Sequence, residues 1–331
     1  MAALGWSTPI VDGDVPEPRG GHTAVSAESQ IVIFGGHSYS GNGQFKYYND
    51  THVLDTDTYT WHLVQCSGSM PPTRFGHSVE LVGSRMFVFG GKGEAGALRD
   101  MHFLDLIEWT WVVVNATTAS PSPRFNHASA LVGRKIVIHG GWDGHHTCMN
   151  DMWVFDTESF MWLQPRTAGL APTPRYGHTL TLLMDGRILC FGGIAIEDDV
   201  PQYYNDLRQL DTETMKWSKP RTGGNVTPSG RFGHSLTPSP LDSRLIIFGG
   251  WGLGGMQDEA NKKTGSGTVF LIDTAPPDTS DINAMAWVQP EVRKIAHKYG
   301  HTTTVIGTKA FVFGGWNGKQ AINELVELKF A

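Results

Sequence analysis

The sequence has little cysteine, no long apolar run and no excess of basic residues. Its three cysteines, Cys66, Cys148 and Cys190, are too few and too scattered for a disulfide framework. No apolar run reaches membrane-spanning length, and the N-terminus has no basic region followed by an apolar block. We therefore expect no membrane insertion and a location in the cytoplasm, with the nucleus as the other option. A net charge of -6 argues against a nucleic-acid partner bound through bulk charge.

Glycine, by contrast, is abundant, and much of it belongs to a repeated pattern. A cation is followed three residues later by His, and sixteen to eighteen residues after the cation by Gly-Gly. The cations are Arg19, Arg74, Arg124, Arg175, Arg231 and Lys298, and the diglycines begin at Gly35, Gly90, Gly140, Gly192, Gly249 and Gly314. A unit that returns about every 50 residues is one supersecondary element repeated, so this pattern determines the fold.

Each unit is typical of four antiparallel strands. In the second unit His77–Val82 alternates between apolar and polar residues, and Met86–Phe89 is a continuous apolar run that ends at the diglycine. Met101–Asp105 then supplies a third strand, and Trp111 begins a fourth. Four antiparallel strands that recur around an axis are the blades of a propeller.

Six units predict an all-β, six-bladed propeller, a single domain over residues 1–331 with blades starting near residues 19, 74, 124, 175, 231 and 298. The last unit ends without a Trp strand. Trp6 precedes Arg19 by thirteen residues, which is the spacing between Trp and the next Arg inside the chain. We therefore expect residues 5–12 to complete the sixth blade, so that an N-terminal strand pairs with the C-terminal blade and closes the ring.

The order of diglycine, Asn-Asp and Trp resembles the kelch motif over essentially the whole chain. The variant Pro-x-Pro-Arg-x-x-His, seen in Pro121–His127 and Pro172–His178, is similar to kelch proteins related to host cell factor, a Rab effector and several ubiquitin-ligase receptors. The resemblance implies a kelch propeller with a protein or peptide partner, for example a ubiquitin-ligase or trafficking component. In the ubiquitin-ligase receptors, Arg at this position contacts degron carboxylates, a role that the motif would transfer to Arg74, Arg124, Arg175 and Arg231.

Antiparallel geometry places the cations and the residues after the diglycines on one rim. Each cation stands at the start of a first strand, and each post-diglycine residue follows the end of a second strand. Because first strands surround the channel, we expect the cations to ring its mouth, where guanidinium groups with aromatic walls suit an acidic peptide or a C-terminal carboxylate. The predicted partner-binding residues are Arg19, Arg74, Arg124, Arg175, Arg231, Lys298, His37, Lys92, Trp142, Trp251 and Trp316.

A residue that recurs in every blade can also serve the blade itself. We expect the motif histidines to make internal hydrogen bonds and the strand tryptophans to pack between blades. For the cations two interpretations stay open, because they either contact a ligand or pair with the repeated acids. The segments 37–48, 251–267 and 275–286 depart from the repeat, and insertions are where individual function is most often located.

The residues favour a protein-interaction module over an enzyme, with no catalytic residue, no cofactor and no metal site predicted. The nearest metal candidate is the loop from Asp143 to Cys148, but its adjacent His145 and His146 point in different directions. Two alternatives stay open. One is a scaffold subunit of a larger assembly that uses the edges of the disc, and the other is a small-molecule or metal-dependent enzyme at the channel mouth.

Overall fold

The structure, a computed structural model, describes residues 4–39, 43–224, 226–252, 269–274, 284–290 and 296–330. Within these ranges the regular structure is all β, and six four-stranded antiparallel sheets follow one another along the chain. The inner strand of each sheet contacts the inner strands of the two neighbouring sheets, and the sixth contacts the first. The predicted six-bladed propeller is therefore confirmed.

In each blade the first strand lies at the channel and the fourth strand lies at the outer edge. Blades 1 to 3 consist of Thr23–Ala27, Gln30–Phe34, Thr51–Asp55 and Thr60–Val64; Ser78–Val82, Arg85–Gly93, Gly96–Asp105 and Thr110–Val114; and Ala128–Val132, Lys135–Trp142, Cys148–Asp156 and Met161–Leu163. Blades 4 to 6 consist of Thr179–Leu182, Arg187–Phe191, Leu207–Asp211 and Lys216–Ser218; Ser235–Pro238, Arg244–Phe248, Val269–Asp273 and Ala284–Val288; and Thr302–Ile306, Lys309–Phe313, Leu325–Phe330 and Leu4–Ser7.

Shorter strands extend the blades at their outer and upper edges. Asp12–Gly13, Ser67–Gly68, Ala168–Gly169 and Arg221–Gly224 each add a parallel strand to the outer edge of blades 1, 2, 4 and 5. Three two-stranded ladders lie beyond the ends of the second strands. They join His37–Tyr39 to Phe45–Tyr47, Ile194–Glu197 to Val200–Tyr203, and Arg231–Phe232 to Trp251–Gly252. Residues 40–42, 253–267 and 275–283 of the three predicted insertions lie outside the described residues.

The repeated Asp and Trp are two ends of one turn. In blade 1 the Asp55 carboxylate accepts the backbone N–H groups of Asp57 and Thr58, each at 2.9 Å. The chain then passes through Tyr59 at a φ of 57°, which reverses its direction, and Trp61 enters the outer strand almost fully buried. An Asp side chain that bonds the backbone two residues further on is the usual start of such a turn, so the six-residue spacing follows from its geometry.

The diglycines are required because the backbone of the next blade approaches them closely. At Gly140 and Gly141 φ is 67° and 105°, and a Cβ on Gly140 would lie 2.7 Å from the carbonyl oxygen of Arg175. The amide of Gly141 donates to that same carbonyl at 2.9 Å. Equivalent bonds run from the second glycine of each blade to the cation of the next, including Gly315 to Arg19. Only glycine combines this backbone conformation with so close a contact.

The ring closes by the predicted pairing of an N-terminal strand with the C-terminal blade, but the strand is Leu4–Ser7 and not the whole of residues 5–12, since Asp12–Gly13 pairs with blade 1. Leu4–Ser7 pairs antiparallel with Leu325–Phe330, and Trp6 stands opposite Leu328. A second contact joins the last blade to the first, because the Tyr59 hydroxyl donates to the Glu327 carboxylate at 2.5 Å. Closure covers the outer edge of Leu325–Phe330, which would otherwise be open to pairing with another chain. Among the described residues no helix has the length and apolarity needed to cross a membrane.

Deleting residues 1–7 should destabilise the whole ring. The deletion removes the outer strand of blade 6 and the partly buried Trp6, whose burial alone is worth about 2–3 kcal/mol, and it exposes the edge of Leu325–Phe330. We expect a clearly lower melting temperature and faster aggregation, measured by calorimetry and light scattering. Ile10→Ser is the control, because Ile10 is 95% exposed and should melt like the wild type. A deletion that melts with the wild type would show that closure contributes little.

Candidate functional site

The motif cations lie inside the blades. Arg19, Arg74 and Arg124 are 0% exposed, and Arg175, Arg231 and Lys298 are 1%, 3% and 0% exposed. Four of them form two-pronged ion pairs at 2.6–3.2 Å with the Asp that begins the third strand of their own blade. These pairs are Arg19–Asp50, Arg74–Asp100, Arg124–Asp151 and Arg175–Asp206. Lys298 pairs with Glu324 at 2.8 Å.

Each guanidinium also donates to two backbone carbonyls, one in the loop before the first strand and one in the diglycine after the second strand. Arg175 donates from Nη1 to the Gly192 carbonyl at 2.9 Å and from Nε to the Thr173 carbonyl at 3.0 Å. Arg231 makes the same two kinds of bond, to Gly249 and Ser229. Burial raises the pKa of Asp50, but hydrogen bonds from Arg19 and His52 outweigh it and hold that pKa well below its ordinary range. The cations therefore hold the start of the first strand beside the end of the second strand and the first part of the third strand.

The structure therefore places these cations inside the blades and not on the surface of the channel mouth, and their contact with a partner stays a prediction. The reason is electrostatic, because a buried guanidinium must have its donors bonded and its charge balanced, and the repeated Asp does both. Of the two interpretations left open by the sequence, pairing with the repeated acids is the one that the geometry supports. Of the residues predicted to bind a partner, those in the post-diglycine positions are the ones that lie at the mouth.

The motif histidines form a chain of bonds between blades, as expected. Each donates or accepts, through Nε2, a hydrogen bond with the hydroxyl that follows the motif His of the preceding blade. The pairs are His22–Thr302, His77–Thr23, His127–Ser78, His234–Thr179 and His301–Ser235, at 2.7–3.2 Å. Blade 3 has Ala128 at the hydroxyl position, and there His178 bonds His139 Nδ1 at 3.0 Å. Burial, reinforced by the neighbouring Arg, lowers the pKa of His22 and His127 to about 3, so these rings stay neutral.

A closed ring of six backbone hydrogen bonds forms the floor of the channel mouth. It is built by the second residue after each cation, whose amide donates to the carbonyl of its counterpart in the preceding blade at 2.6–2.9 Å. The residues are Gly21, Gly76, Asn126, Gly177, Gly233 and Gly300. Their φ values lie between 51° and 64°, and Asn, the one non-glycine, tolerates this conformation better than most residues. All six amides are occupied by ring carbonyls, so a ligand carboxylate meets no free amide at this floor.

Aromatic side chains stand above that floor. We call Trp316, His37, Phe75, Phe125, Trp142, Tyr176, Phe232 and Tyr299 the aromatic belt. Successive rings from Trp316 through to Tyr299 lie 4.0–6.4 Å apart between centroids. Phe125 and Tyr176 are buried, whereas Phe75, Phe232 and Tyr299 are half-buried. Such a belt offers a partner apolar area with little rotational freedom to lose.

The belt is built from two positions of the repeat. The residue after each cation pairs in a short antiparallel bridge with the residue after each diglycine. The bridges are Gly20–His37, Phe75–Lys92, Phe125–Trp142, Tyr176–Ile194, Phe232–Trp251 and Tyr299–Trp316. The sequence prediction had the second member of five of these bridges, all except Ile194, and missed the first members. The signal was present, because five of the six residues that follow a cation are Phe or Tyr.

Blade 1 breaks the belt and opens a cavity. It has Gly20 where the other blades have an aromatic residue, and a Cβ there would lie 2.2 Å from Nε1 of Trp316. A cavity of about 430 Å³ lies beside this point and extends over the glycine floor. Its walls are His37, Tyr39, Phe45, Phe75, Phe232, Tyr299 and Trp316. Phe45 and Tyr39 are 53% and 42% exposed, so apolar surface faces solvent here.

Charges at the rim are few and unevenly placed. Burial lowers the pKa of His37 to about 4, and its Nδ1 lies 3.0 Å from the Gly20 carbonyl, so this ring is neutral. Lys92 lies over the Phe125 ring at 5.4 Å. On the side of blade 4 the exposed Asp198 and Asp199 form the tip of a two-stranded ladder. The described rim is therefore apolar at its centre, with a cation on one side and acids on another.

The loop from Asp143 to Cys148 is organised by backbone hydrogen bonds. Asp143 Oδ1 accepts the N–H groups of His145, His146 and Thr147 at 2.8–3.1 Å. In the part of the chain that the structure describes, the group of potential metal ligands is His139, His178 and Cys190, which is buried between blades 3 and 4 and not at the rim.

Six blades that share a buried cation, a histidine bridge and paired glycines define a propeller of the kelch class. The KLHDC2/KLHL20/DRC7 Kelch-repeats domain family matches residues 1–193 and 184–331, and the chain belongs to the kelch-repeat family. It is 28% identical over 324 residues to host cell factor of Drosophila melanogaster, covering 92% of this chain and 16% of the relative.

Two further relatives have the same relation to this chain. Human host cell factor 2 is 29% identical over 323 residues, which is 92% of this chain and 31% of the relative. Kelch domain-containing protein 2 of Bos taurus is 29% identical over 246 residues, which is 74% of this chain and 52% of the relative. The chain thus spans less than two thirds of the length of these relatives. The predicted resemblance to kelch proteins related to host cell factor is confirmed.

Arg175→Ala should destabilise the fold because it leaves Asp206 and the Gly192 carbonyl without their donor. Breaking a buried pair on one side costs about 3–5 kcal/mol, whereas an exposed pair is worth about 0–1 kcal/mol. The matched control is Arg134→Ala, since Arg134 and Glu158 form an ion pair with 70% and 63% exposed side chains. Urea denaturation should separate the two variants clearly. An Arg175→Ala protein as stable as the control would contradict a scaffolding role.

The buried histidines should make stability fall as the pH is lowered. Their folded pKa of about 3 lies below the ordinary 6.5, so their contribution is complete above pH 6.5 and is lost progressively towards pH 3. Each such residue adds about 1.4 kcal/mol per pH unit to the slope. His127→Gln keeps a donor for Ser78 without a titrating ring and should reduce the slope by about one proton. Denaturant midpoints across this range measure it.

Proposed function

We propose that this chain is a protein-interaction module that binds a segment of a partner protein in the cavity at the aromatic belt. The single observation that supports this most is the apolar cavity at the channel mouth, walled by Phe45 of blade 1, Phe75 of blade 2, Phe232 of blade 5 and Trp316 of blade 6 and open to solvent. Large exposed apolar surface on a folded domain marks interaction sites. Of the sequence-predicted residues, His37, Lys92, Trp142, Trp251 and Trp316 take part, and the motif cations support them from inside the blades.

The chemistry of the cavity favours an apolar or aromatic side chain as the anchor of that segment. The floor amides are bonded within their own ring, and four of the five motif guanidinium groups are paired with Asp, so an acidic segment or a C-terminal carboxylate gains little from either. Lys92 is the predicted cation that reaches the rim, and a carboxylate of the partner near it would be secondary to the apolar contact. The partner's membership of a ubiquitin-ligase or trafficking system, and a cytoplasmic or nuclear setting, belong to this proposal.

A scaffold role is the second candidate, and one observation favours it. The outer strands of blades 1 to 3 expose large apolar side chains at the edge of the disc. These are Leu63, Val112, Val113, Met161 and Leu163, at 38–63% exposure. In this case the partner would pack against the circumference, as a subunit of a larger assembly does, and the cavity would not matter. Enzyme function has no comparable support, so we propose a binding function alone.

Unbiased peptide selection distinguishes the two surfaces. Libraries that display random peptides internally and at a free C-terminus are selected on the purified propeller. We expect enriched sequences with an aromatic or large aliphatic residue at a fixed position. Phe232→Ala should weaken them by more than about tenfold, since truncating an anchor contact costs about 2 kcal/mol. Fluorescence anisotropy gives the dissociation constants, and circular dichroism checks that the variant is folded.

Leu163→Ser is the matched control, because Leu163 is 63% exposed on the outer strand of blade 3. Binding that Leu163→Ser abolishes and Phe232→Ala leaves intact would place the site on the circumference. The apolar anchor would be contradicted by selected peptides that share only a free carboxylate or an acidic run. These peptides would bind the Lys92→Ala variant no more weakly than the wild type.

A further inference from the structure

The interface between blades 3 and 4 departs from the repeat at three positions at once. At the other five interfaces the residue before the diglycine is Phe, the residue two places before the next diglycine is Ile or Val, and the residue after the motif His is Ser or Thr. Here these positions hold His139, Cys190 and Ala128. Together with the motif residue His178, two of the three bring potential metal ligands to one point.

The donor atoms of these side chains lie close together and away from solvent. His139 Nδ1 is 3.0 Å from His178 Nε2, and one donor atom each from His139, His178 and Cys190 lie within 4.8 Å of one another. His139 and Cys190 are 0% exposed and His178 is 5% exposed. Ala128 and Cys190 belong to the same apolar cluster, so water does not compete for the site.

Hydrogen bonding explains only part of this arrangement. Ala128 removes the hydroxyl that a motif histidine normally bonds, and His139 restores a partner for His178. His139 therefore supplies the hydrogen bond to His178 without any contribution from Cys190. Hydrogen bonding does not explain why Cys190 replaces the Ile or Val found at this position in the other blades. Nε2 of His139 has no hydrogen-bond partner among the described residues, and Nδ1 of His178 has none either, as in the other five motif histidines.

We propose that His139, His178 and Cys190 together bind one monovalent copper ion inside the interface between blades 3 and 4. Imidazole nitrogen and thiolate sulfur are the ligands that soft and borderline metal ions prefer. Three donors from two adjacent blades can surround an ion that needs no further ligand. The ion would join the two blades at the place where the histidine–hydroxyl bond is missing.

The charge of the site selects the ion. Cu⁺ replaces the Cys190 thiol proton, which leaves to solvent, while both imidazoles stay neutral and carry their protons on His139 Nε2 and His178 Nδ1. Copper and thiolate then sum to zero charge. A Zn²⁺ ion on the same ligands would leave one positive charge buried, which is costly away from water. Arg175 lies near enough to both histidines to act on their pKa values, and it opposes any added positive charge.

The distances between the donor atoms suit one ion after a small adjustment. Metal bonds of about 2.0 Å to nitrogen and about 2.3 Å to sulfur require nitrogens about 3.5 Å apart in a trigonal site. The two rings therefore separate by about half an ångström from their present contact.

The test is metal content after folding in the presence of copper. The chain is expressed in copper-supplemented cells, so that the ion can bind before the interface closes, and is purified under reducing conditions. We expect one copper per chain by mass spectrometry of the elements, with one sulfur and two nitrogen ligands in the X-ray absorption spectrum. Removing copper with a Cu⁺ chelator should lower the melting temperature, because an ion that binds only the folded state stabilises it.

Variants that restore the repeat provide the decisive comparison. Cys190→Val introduces the residue present in blades 2 and 6, and the double change Ala128→Ser with His139→Phe copies the interface between blades 2 and 3. Both should fold and contain no copper, whereas Cys66→Ser and Cys148→Ser should retain it. Copper-free folded wild type, or equal copper in wild type and Cys190→Val, would overturn the proposal. Stoichiometric zinc in place of copper would overturn the charge argument and with it the assignment of the ion.

Discussion

The buried cation at the start of each inner strand is the interaction on which the rest of the propeller depends. In blades 1 to 4 its guanidinium bonds the Asp of the third strand, the diglycine of the second and the loop before the first, as Arg175 does. A charge in a water-free interior is tolerated only when its donors are all bonded, so the strand ends have one geometry that satisfies it. The two residues that follow the cation are then held at the channel mouth, where they form the glycine floor and the aromatic belt. The cation therefore stabilises the blade, and in the proposed function it affects binding only by positioning the residues at the channel mouth.

The sequence predicted the blade count, the strand order and the closure by Leu4–Ser7 because these follow from spacing and alternation. It predicted the end of the blade at which the backbone of Arg175 lies, but the spacing of residues does not show which way a long side chain turns. The decisive residue, Asp206, belongs to the Asn-Asp of the motif and pairs with Arg175. Its pairing with Arg175 was left open because exposed ion pairs contribute little and give no reason to expect burial. Phe75 and Phe232 were missed because they occupy a position that the motif leaves variable.

Departures from the repeat occur in pairs, and each pair restores a contact that the first change removed. Lys298 is shorter than Arg, and its partner Glu324 is longer than Asp, so the ion pair keeps its reach. Gly20 removes an aromatic ring, and Trp316 occupies the space. Ala128 removes a hydroxyl, and His139 bonds His178 in its place. Each unit of a repeat protein contacts only its neighbours, which confines such compensation to adjacent elements.

At the rim, the proposed affinity and the proposed selectivity belong to different elements. An apolar cavity over a floor of saturated amides can bury a side chain from many different partners, so it supplies binding energy without much discrimination. Discrimination comes from charges that steer and orient, and these lie on the irregular elements: Lys92 on blade 2, and Asp198 and Asp199 at the tip of the blade 4 ladder. These elements differ between blades, whereas the belt is set by the repeat. A change of partner therefore requires changes in these short elements and leaves the six buried cations and their blades untouched.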